Sequence, residues 1–205
     1  MMALLTIMSL LTQSGLAADS APKFTEAKTT EAKTDVAILA GGCFWCMFPP
    51  FAKQSGILKV TAGYTGGTKD HPTYEEVSAG TTGHVEAIEI IFDPMKISYE
   101  QILERYWRTM DPTDASGQFN DRGTQYRSII YYHDDIQKKI AEKSKEALEK
   151  SKRFEKKIVT QILPASKFWP AEDYHQDYYK KNPLHFQLYE KGSGRESFLK
   201  KHWGQ

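Results

Sequence analysis

The sequence predicts an α+β domain, a mixed β-sheet core covered by helices. Strand-like runs and helical patterns alternate along the chain, but without the strict strand–helix–strand rhythm of a parallel sheet. No phosphate-binding glycine fingerprint follows the first apolar run, because Gly41-Gly42 is not GxGxxG and no Gly-Lys-Ser/Thr occurs. From Phe168 to Trp203 the chain is aromatic and His-containing, with only short helices and loops expected. The expected arrangement is therefore a two-layer sandwich, ferredoxin-like in its layering, with a coil-rich C-terminal wrap.

Residues 1–18 carry no charged side chain, and an apolar run from Ala3 to Leu11 leads to the small-residue stretch Gly15-Leu16-Ala17-Ala18. This reads as a secretory signal peptide cleaved after Ala17 or Ala18, although its start lacks the usual Lys or Arg. The run is too short to span a bilayer comfortably. Residues 19–34, rich in Ala, Lys, Thr, Glu and Ser, bury too little to order themselves and read as a disordered linker. A single catalytic domain is expected over 35–205. Export places it in the periplasm or outside the cell, with no membrane contact after signal removal, and as a monomer.

Within that domain, Val36 to Ala40 reads as a buried strand that the Gly41-Gly42 pair turns into a helix over Phe44 to Gln54, with Pro49-Pro50 an awkward insertion. Ile57 to Tyr64 is a strand, and Pro72 to Val77 a short helix or turn. From His84 to Phe92 the alternation is strand-like, and Glu86 shares its face with Ile88, Ile90 and Phe92. Ser98 with Gln101 forms a capping box before a helix whose apolar stripe is Tyr99, Ile102, Leu103, Tyr106, Trp107 and Met110. Asp111 to Gln125 is a long polar loop, of a length more often functional than idle. Tyr126 to Tyr132 returns as a strand, and Asp134 to Lys152 is the longest helix, with Ile136, Ile140, Ala147 and Leu148 inward. Ile158 to Leu163 is a further strand.

With 205 residues the chain is long enough to bury a real core, and a net charge of +1 gives no electrostatic reason to expect nucleic acid. The chemistry gathers at Gly41-Gly42-Cys43-Phe44-Trp45-Cys46, which holds both cysteines. A thiol at a helix N-terminus is favoured as thiolate, and Cys43 is the better placed of the two. Cys46 lies one turn on, with Cβ atoms about 5–6 Å apart in a regular helix. A disulfide wants roughly 3.8 Å. The pair therefore suits a bond that forms and breaks rather than a structural staple. A zinc site is disfavoured, since His175 and His185 do not complete a standard ligand spacing. What remains is a thioredoxin-like CxxC oxidoreductase, or a thiol enzyme that attacks an electrophile and then closes its own disulfide.

Gly42-Cys43-Phe44-Trp45 resembles the signature of the A-type peptide methionine sulfoxide reductases. Further blocks resemble that family in its order: Gly63-Tyr64-Thr65-Gly66-Gly67, Pro72 to Val77, Gly83-His84-Val85-Glu86, Phe92-Asp93-Pro94, Asn120 to Ser128, and Ala171-Glu172-Asp173-Tyr174-His175-Gln176. The resemblance implies that Cys43 attacks the sulfur of methionine S-sulfoxide, in proteins or free, while Glu86 acts as the acid at the sulfoxide oxygen. It implies further that Tyr74 and Tyr126 donate hydrogen bonds to that oxygen, that Asp121 orients substrate or water, and that Phe44 and Trp45 pack the substrate methyl group. Cys46 then resolves the Cys43 sulfenic acid, and a thioredoxin-like partner reduces the disulfide; no cofactor and no metal is implied.

On residue type alone the blander readings stay open. Tyr74, Tyr126, Phe44 and Trp45 are as readily core residues, Asp121 a turn cap, Glu86 a strand-edge carboxylate, and His84 and His175 structural. The chain departs from the family twice: its tail carries no cysteine, and Phe48 stands where an acidic residue is expected. The competing functions are a general thiol–disulfide oxidoreductase and a non-catalytic exported module that binds methionine-rich segments.

Overall fold

A computed structural model of the chain describes residues 33–204; the expected signal lies outside them, as does all but the end of the expected linker. In chain order the elements are β1 (Asp35–Gly41), α1 (Phe44–Ala52), β2 (Ile57–Thr65), α2 (Tyr74–Ser78), β3 (Val85–Phe92), α3 (Tyr99–Trp107), β4 (Gly117–Gln118), β5 (Asp121–Arg122) and a 3-10 turn (Thr124–Tyr126). There follow β6 (Ser128–Tyr132), α4 (Asp135–Lys150), β7 (Gln161–Pro164), β8 (Trp169–Pro170), a second 3-10 turn (Asp173–His175), α5 (Tyr178–Lys181), α6 (Pro183–Gly192) and α7 (Arg195–Trp203).

The main sheet has the order β7-β6-β1-β3-β2-β8. β3 lies between β1 and β2 and runs antiparallel to both, so β1-α1-β2 is a split unit. β6 pairs antiparallel with β1, and only β7 adds a parallel ladder, on β6. The four central strands thus carry the ferredoxin-like order. The sheet is mixed and open, as the α+β reading requires.

One face of the sheet carries the principal core. Ala37, Leu39, Ala62, Tyr64, Ile88, Ile90, Phe92 and Ile130 meet the apolar sides of α1 and α3, including Phe44, Met47, Ile102, Leu103 and Tyr106. The opposite face holds a smaller cluster of Ile38, Ala40, Val85, Ala87, Ile129 and Tyr131. The capping box opens α3 as expected, with Ser98 Oγ accepting from Gln101 N and the Gln101 side chain accepting from Ser98 N. All six residues of its predicted stripe are buried.

Several local expectations differ from the structure; the last expected strand, for one, is Gln161–Pro164 rather than Ile158 to Leu163. α4 keeps half of its predicted face, with Leu148 buried and Ile140 half-buried against the core, but Ile136 is 70% exposed and Ala147 is also exposed, while Gln137 and Ala141 are buried instead. The anchor is polar, since Gln137 Nε2 donates to Val36 O at 2.8 Å and Gln137 Oε1 accepts from His133 N. A hydrophobic pattern does not register such a side-chain clamp on a strand end. The 111–125 loop contains a two-stranded ribbon, β4 with β5, because buried Gln118 replaces missing ladder bonds by pairing both ways with the Asp111 backbone. Tyr126 belongs to a 3-10 turn rather than to β6. In the tail, the short strand β8 joins the edge of β2.

Candidate active site

The site is built where β1 becomes α1. Gly42 takes a φ of 91°, and a Cβ there would stand 2.6 Å from Gln118 Cβ, so only glycine makes this turn. Cys43 is thereby set at the N-cap of α1, its carbonyl accepting from Cys46 N at 3.1 Å and Met47 N at 3.2 Å. Pro49 and Pro50 lie inside α1, where they cannot donate back to the Trp45 and Cys46 carbonyls. The helix ends at Ala52, short of the expected Gln54.

The first free amide of α1 finds a partner in the sheet. Phe44 N–H donates to Glu86 Oε2 at 3.0 Å, and Glu86, the second residue of β3, is 1% exposed. Burial pushes its carboxyl up to about 8, against the lowering effect of the Phe44 bond; Asp121 and Cys46 add to the rise. Glu86 is thus an acid that keeps its proton at neutral pH.

Both thiols are free and buried. Burial pushes the Cys43 thiol well up, followed by its hydrogen bond with Cys46 and the charge of Glu86. The preference of a helix N-terminus for thiolate is therefore outweighed at Cys43 by loss of solvent and a neighbouring carboxyl. Cys46 moves the other way, lowered first by the Cys43 bond against burial, then by the charge of Arg195.

Around this pair stand the predicted tyrosines. Tyr74 and Tyr126 are half-buried, and burial, followed by the field of Glu86, pushes both phenols up, with Cys43 contributing to each. Both remain protonated donors. Asp121 accepts from Tyr189 Oη at 2.5 Å, and Tyr189 lies against the Cys43 thiol. Burial raises Asp121, while Tyr189, Arg195 and Arg122 oppose the rise.

The two aromatics after Cys43 separate. Phe44 is 1% exposed and packs 5.9 Å from Tyr64 and 4.9 Å from His175, as a core residue beneath the site. Trp45 is half-buried and forms the rim: its indole N–H donates to His175 Nδ1 at 3.0 Å, and its ring stacks on Tyr178 at 3.8 Å. His175 is itself buried and held neutral by burial. His84 pins the preceding loop, Nδ1 accepting from Gly67 N at 3.0 Å and Nε2 lying 2.7 Å from Lys69 O. Phe48 is buried against Tyr179, so the site takes no charge from that position.

The family profile described as peptide methionine sulfoxide reductase matches residues 35–205. Peptide methionine sulfoxide reductase MsrA of Bacillus licheniformis is 57% identical over 173 residues, covering 84% of this chain and 96% of that protein. The chain belongs to the A-type peptide methionine sulfoxide reductase family. Among solved structures, Mxr1 from Saccharomyces cerevisiae in reduced form matches with a TM-score of 0.71 and 34% identity, over 77% of this chain and 92% of that one. Mxr1 in complex with Trx2 matches with a TM-score of 0.52 and 25% identity, over 75% and 90%.

In this family member, several site residues lie where sequence reasoning gave them no role. Glu172 braces Tyr74, its Oε1 accepting from Tyr74 N at 2.9 Å and its Oε2 from Tyr64 Oη at 2.8 Å. The family block Ala171 to Gln176 pointed to that segment, but not to the brace. Tyr189 on α6 and Arg195 on α7 carry no motif, and only the folding of the tail back over α1 brings them in.

Glu86 also makes stability depend on pH. Its folded-state pKa is raised, so the stability it contributes is fully present below the unfolded value and is lost as pH rises through about 8. Glu86→Gln, which keeps an acceptor for Phe44 N–H, should therefore gain stability relative to wild type between about pH 5 and pH 8, on the order of 4 kcal/mol at the upper end. Urea denaturation of the reduced proteins measures the difference; a gap that stays constant across this range contradicts a protonated Glu86.

Proposed function

We propose that the chain reduces methionine S-sulfoxide, in peptides and as the free amino acid, with Cys43 as nucleophile and Glu86 as acid. The observation that carries this reading is the neutral, buried Glu86 carboxyl on the first amide of the helix that Cys43 caps. A sulfoxide oxygen leaves sulfur only if its growing negative charge is met by a proton. Glu86 supplies the proton, and Tyr74 and Tyr126 donate hydrogen bonds to the same oxygen. Cys43 attacks the sulfoxide sulfur, which is reduced by two electrons, and Cys43 is oxidised to the sulfenic acid that retains the oxygen. Trp45 gives the substrate methyl group an apolar rim, with Phe44 supporting it from below, and Asp121 orients through Tyr189.

Cys46 then attacks the Cys43 sulfenic sulfur, the S–S bond forms, and water leaves. The regular geometry of the α1 first turn supports a reversible pairing, because the bond needs local rearrangement. A dithiol of the thioredoxin kind restores both thiols, a reading supported by the solved complex of Mxr1 with Trx2. A general disulfide oxidoreductase is less well matched: thiol–disulfide exchange has no use for a buried, protonated Glu86 and two phenol donors beside Cys43.

The reduced protein mixed with one equivalent of methionine S-sulfoxide should lose two thiols and yield one methionine per chain. Cys43→Ser should yield none, and Cys46→Ser one methionine with a sulfenic acid left on Cys43. Glu86→Gln should slow methionine formation by about 10²–10⁴-fold. Methionine from Cys43→Ser, or affinity without turnover in the wild type, would contradict the reading.

We also propose that the domain acts after export, a reading supported by the uncharged apolar start and its small-residue end. The exported chain should begin at Ala18 or Asp19 by intact mass. A mature product retaining the apolar run would overturn this.

A further inference from the structure

Arg195 presents an unsolved charge. Its side chain is 3% exposed, yet Nε and Nη2 have no hydrogen-bond partner, and among the described residues no carboxylate forms an ion pair with it. Only Nη1 is engaged, donating to the Thr109 carbonyl, while the guanidinium carbon sits 4.8 Å over the ring of Phe119. Phe119 holds a left-handed φ of 56° to offer that ring, a conformation bulky residues rarely adopt. A guanidinium cannot shed its proton to escape burial, and a buried charge left without a counterion is costly. Such a group calls for a use.

Its surroundings indicate one. Arg195 lines a cavity of about 480 Å³ together with Cys46, Pro50, Thr109 and Glu190. Its Nη2 also reaches the cysteine turn itself, standing 3.2 Å from where a Cβ of Gly42 would lie. We propose that Arg195 is a positioning residue for the resolving step, its unpaired charge holding the Cys46 sulfur as the anion that attacks the Cys43 sulfenic acid. The proposal rests on the reductase reading of Cys43. In the step, Cys46 thiolate bonds to the Cys43 sulfur, the S–O bond breaks, and the hydroxide that leaves takes a proton to become water. Cys46 is oxidised as the sulfenic sulfur is reduced, so no outside reagent is needed until the disulfide is recycled.

Arg195 does not act on Cys46 alone. Cys43 hydrogen-bonds it from the helix cap, and Glu190 of α6 and Asp121 of β5 oppose the anion. Glu86 of β3 also feels the Cys46 charge. The cavity is also lined by Lys96, ahead of α3, by Glu104 and Arg105 of α3 and by Arg108 at its C-cap, with Glu104 and Arg108 paired at 3.1 Å. Arg195 and Glu190 therefore act on the Cys46 sulfur with opposite sign, which gives the proposal two handles.

The test uses the full chain, reduced, with one equivalent of methionine S-sulfoxide, and follows methionine release and loss of the second thiol separately as pH is varied. Relative to methionine release in the same variant, Arg195→Met should slow disulfide formation about tenfold near neutrality and recover toward the wild-type ratio in alkali, a one-unit displacement of the pH midpoint. Arg195→Lys should keep the wild-type midpoint. Glu190→Gln should move it toward acid, and that variant decides the matter if Arg195→Met does not fold. An unmoved midpoint in either informative variant, or slowing that is the same at every pH, overturns the proposal. No methionine release from the wild type would instead overturn the reductase reading.

Discussion

The hydrogen bond from Phe44 N–H to the Glu86 carboxyl fixes the relation between the two layers of the domain. It joins the first amide of α1 to the start of β3, two elements far apart in the chain. A helix start has amides to satisfy, and a carboxyl in a sheet core needs a donor. Each resolves the other's deficit, and Cys43, one residue earlier, is thereby held over the acid. Gly42 makes the contact possible, since its positive φ turns the chain from β1 into α1 within two residues.

The consequence is a carboxyl and a thiol that both rest uncharged. Burial raises Glu86 and Cys43 together, and each carboxylate near the thiol reinforces the rise. A neutral pair suits a sulfoxide, whose oxygen must gain a proton while its sulfur is attacked. The two cysteines are thereby made unequal: burial, the bond with Cys46 and the Glu86 charge raise Cys43, while Cys46 is lowered by its bond with Cys43, against burial, and by the charge of Arg195. The short CxxC spacing separates two environments as well as two sulfurs.

Much of this was legible in the sequence, for reasons that differ by residue. Strands β1, β2, β3 and β6 and the exceptional position of Glu86 follow from local periodicity, and the α3 capping box from the spacing of Ser98 and Gln101. What periodicity could not give were contacts set by single polar side chains: Gln137 clamping α4 to Val36, and Gln118 drawing the 111–125 loop into a ribbon. The helix position that favours a thiolate at Cys43 is visible in sequence, while the burial that opposes it is not. Tyr189 and Arg195 stayed hidden for the same cause, since the tail that brings them has neither motif nor strong amphipathic pattern.

The central claim is that Glu86 is protonated in the resting protein at neutral pH. It is tested most directly by ¹³C NMR of the reduced chain labelled at glutamate side-chain carboxyls, with the Glu86 resonance assigned by its loss in Glu86→Gln. The account predicts a resonance that titrates near pH 8 and belongs to the neutral acid at pH 7. A Glu86 signal that titrates in the ordinary carboxylate range, about pH 4–5, would contradict it.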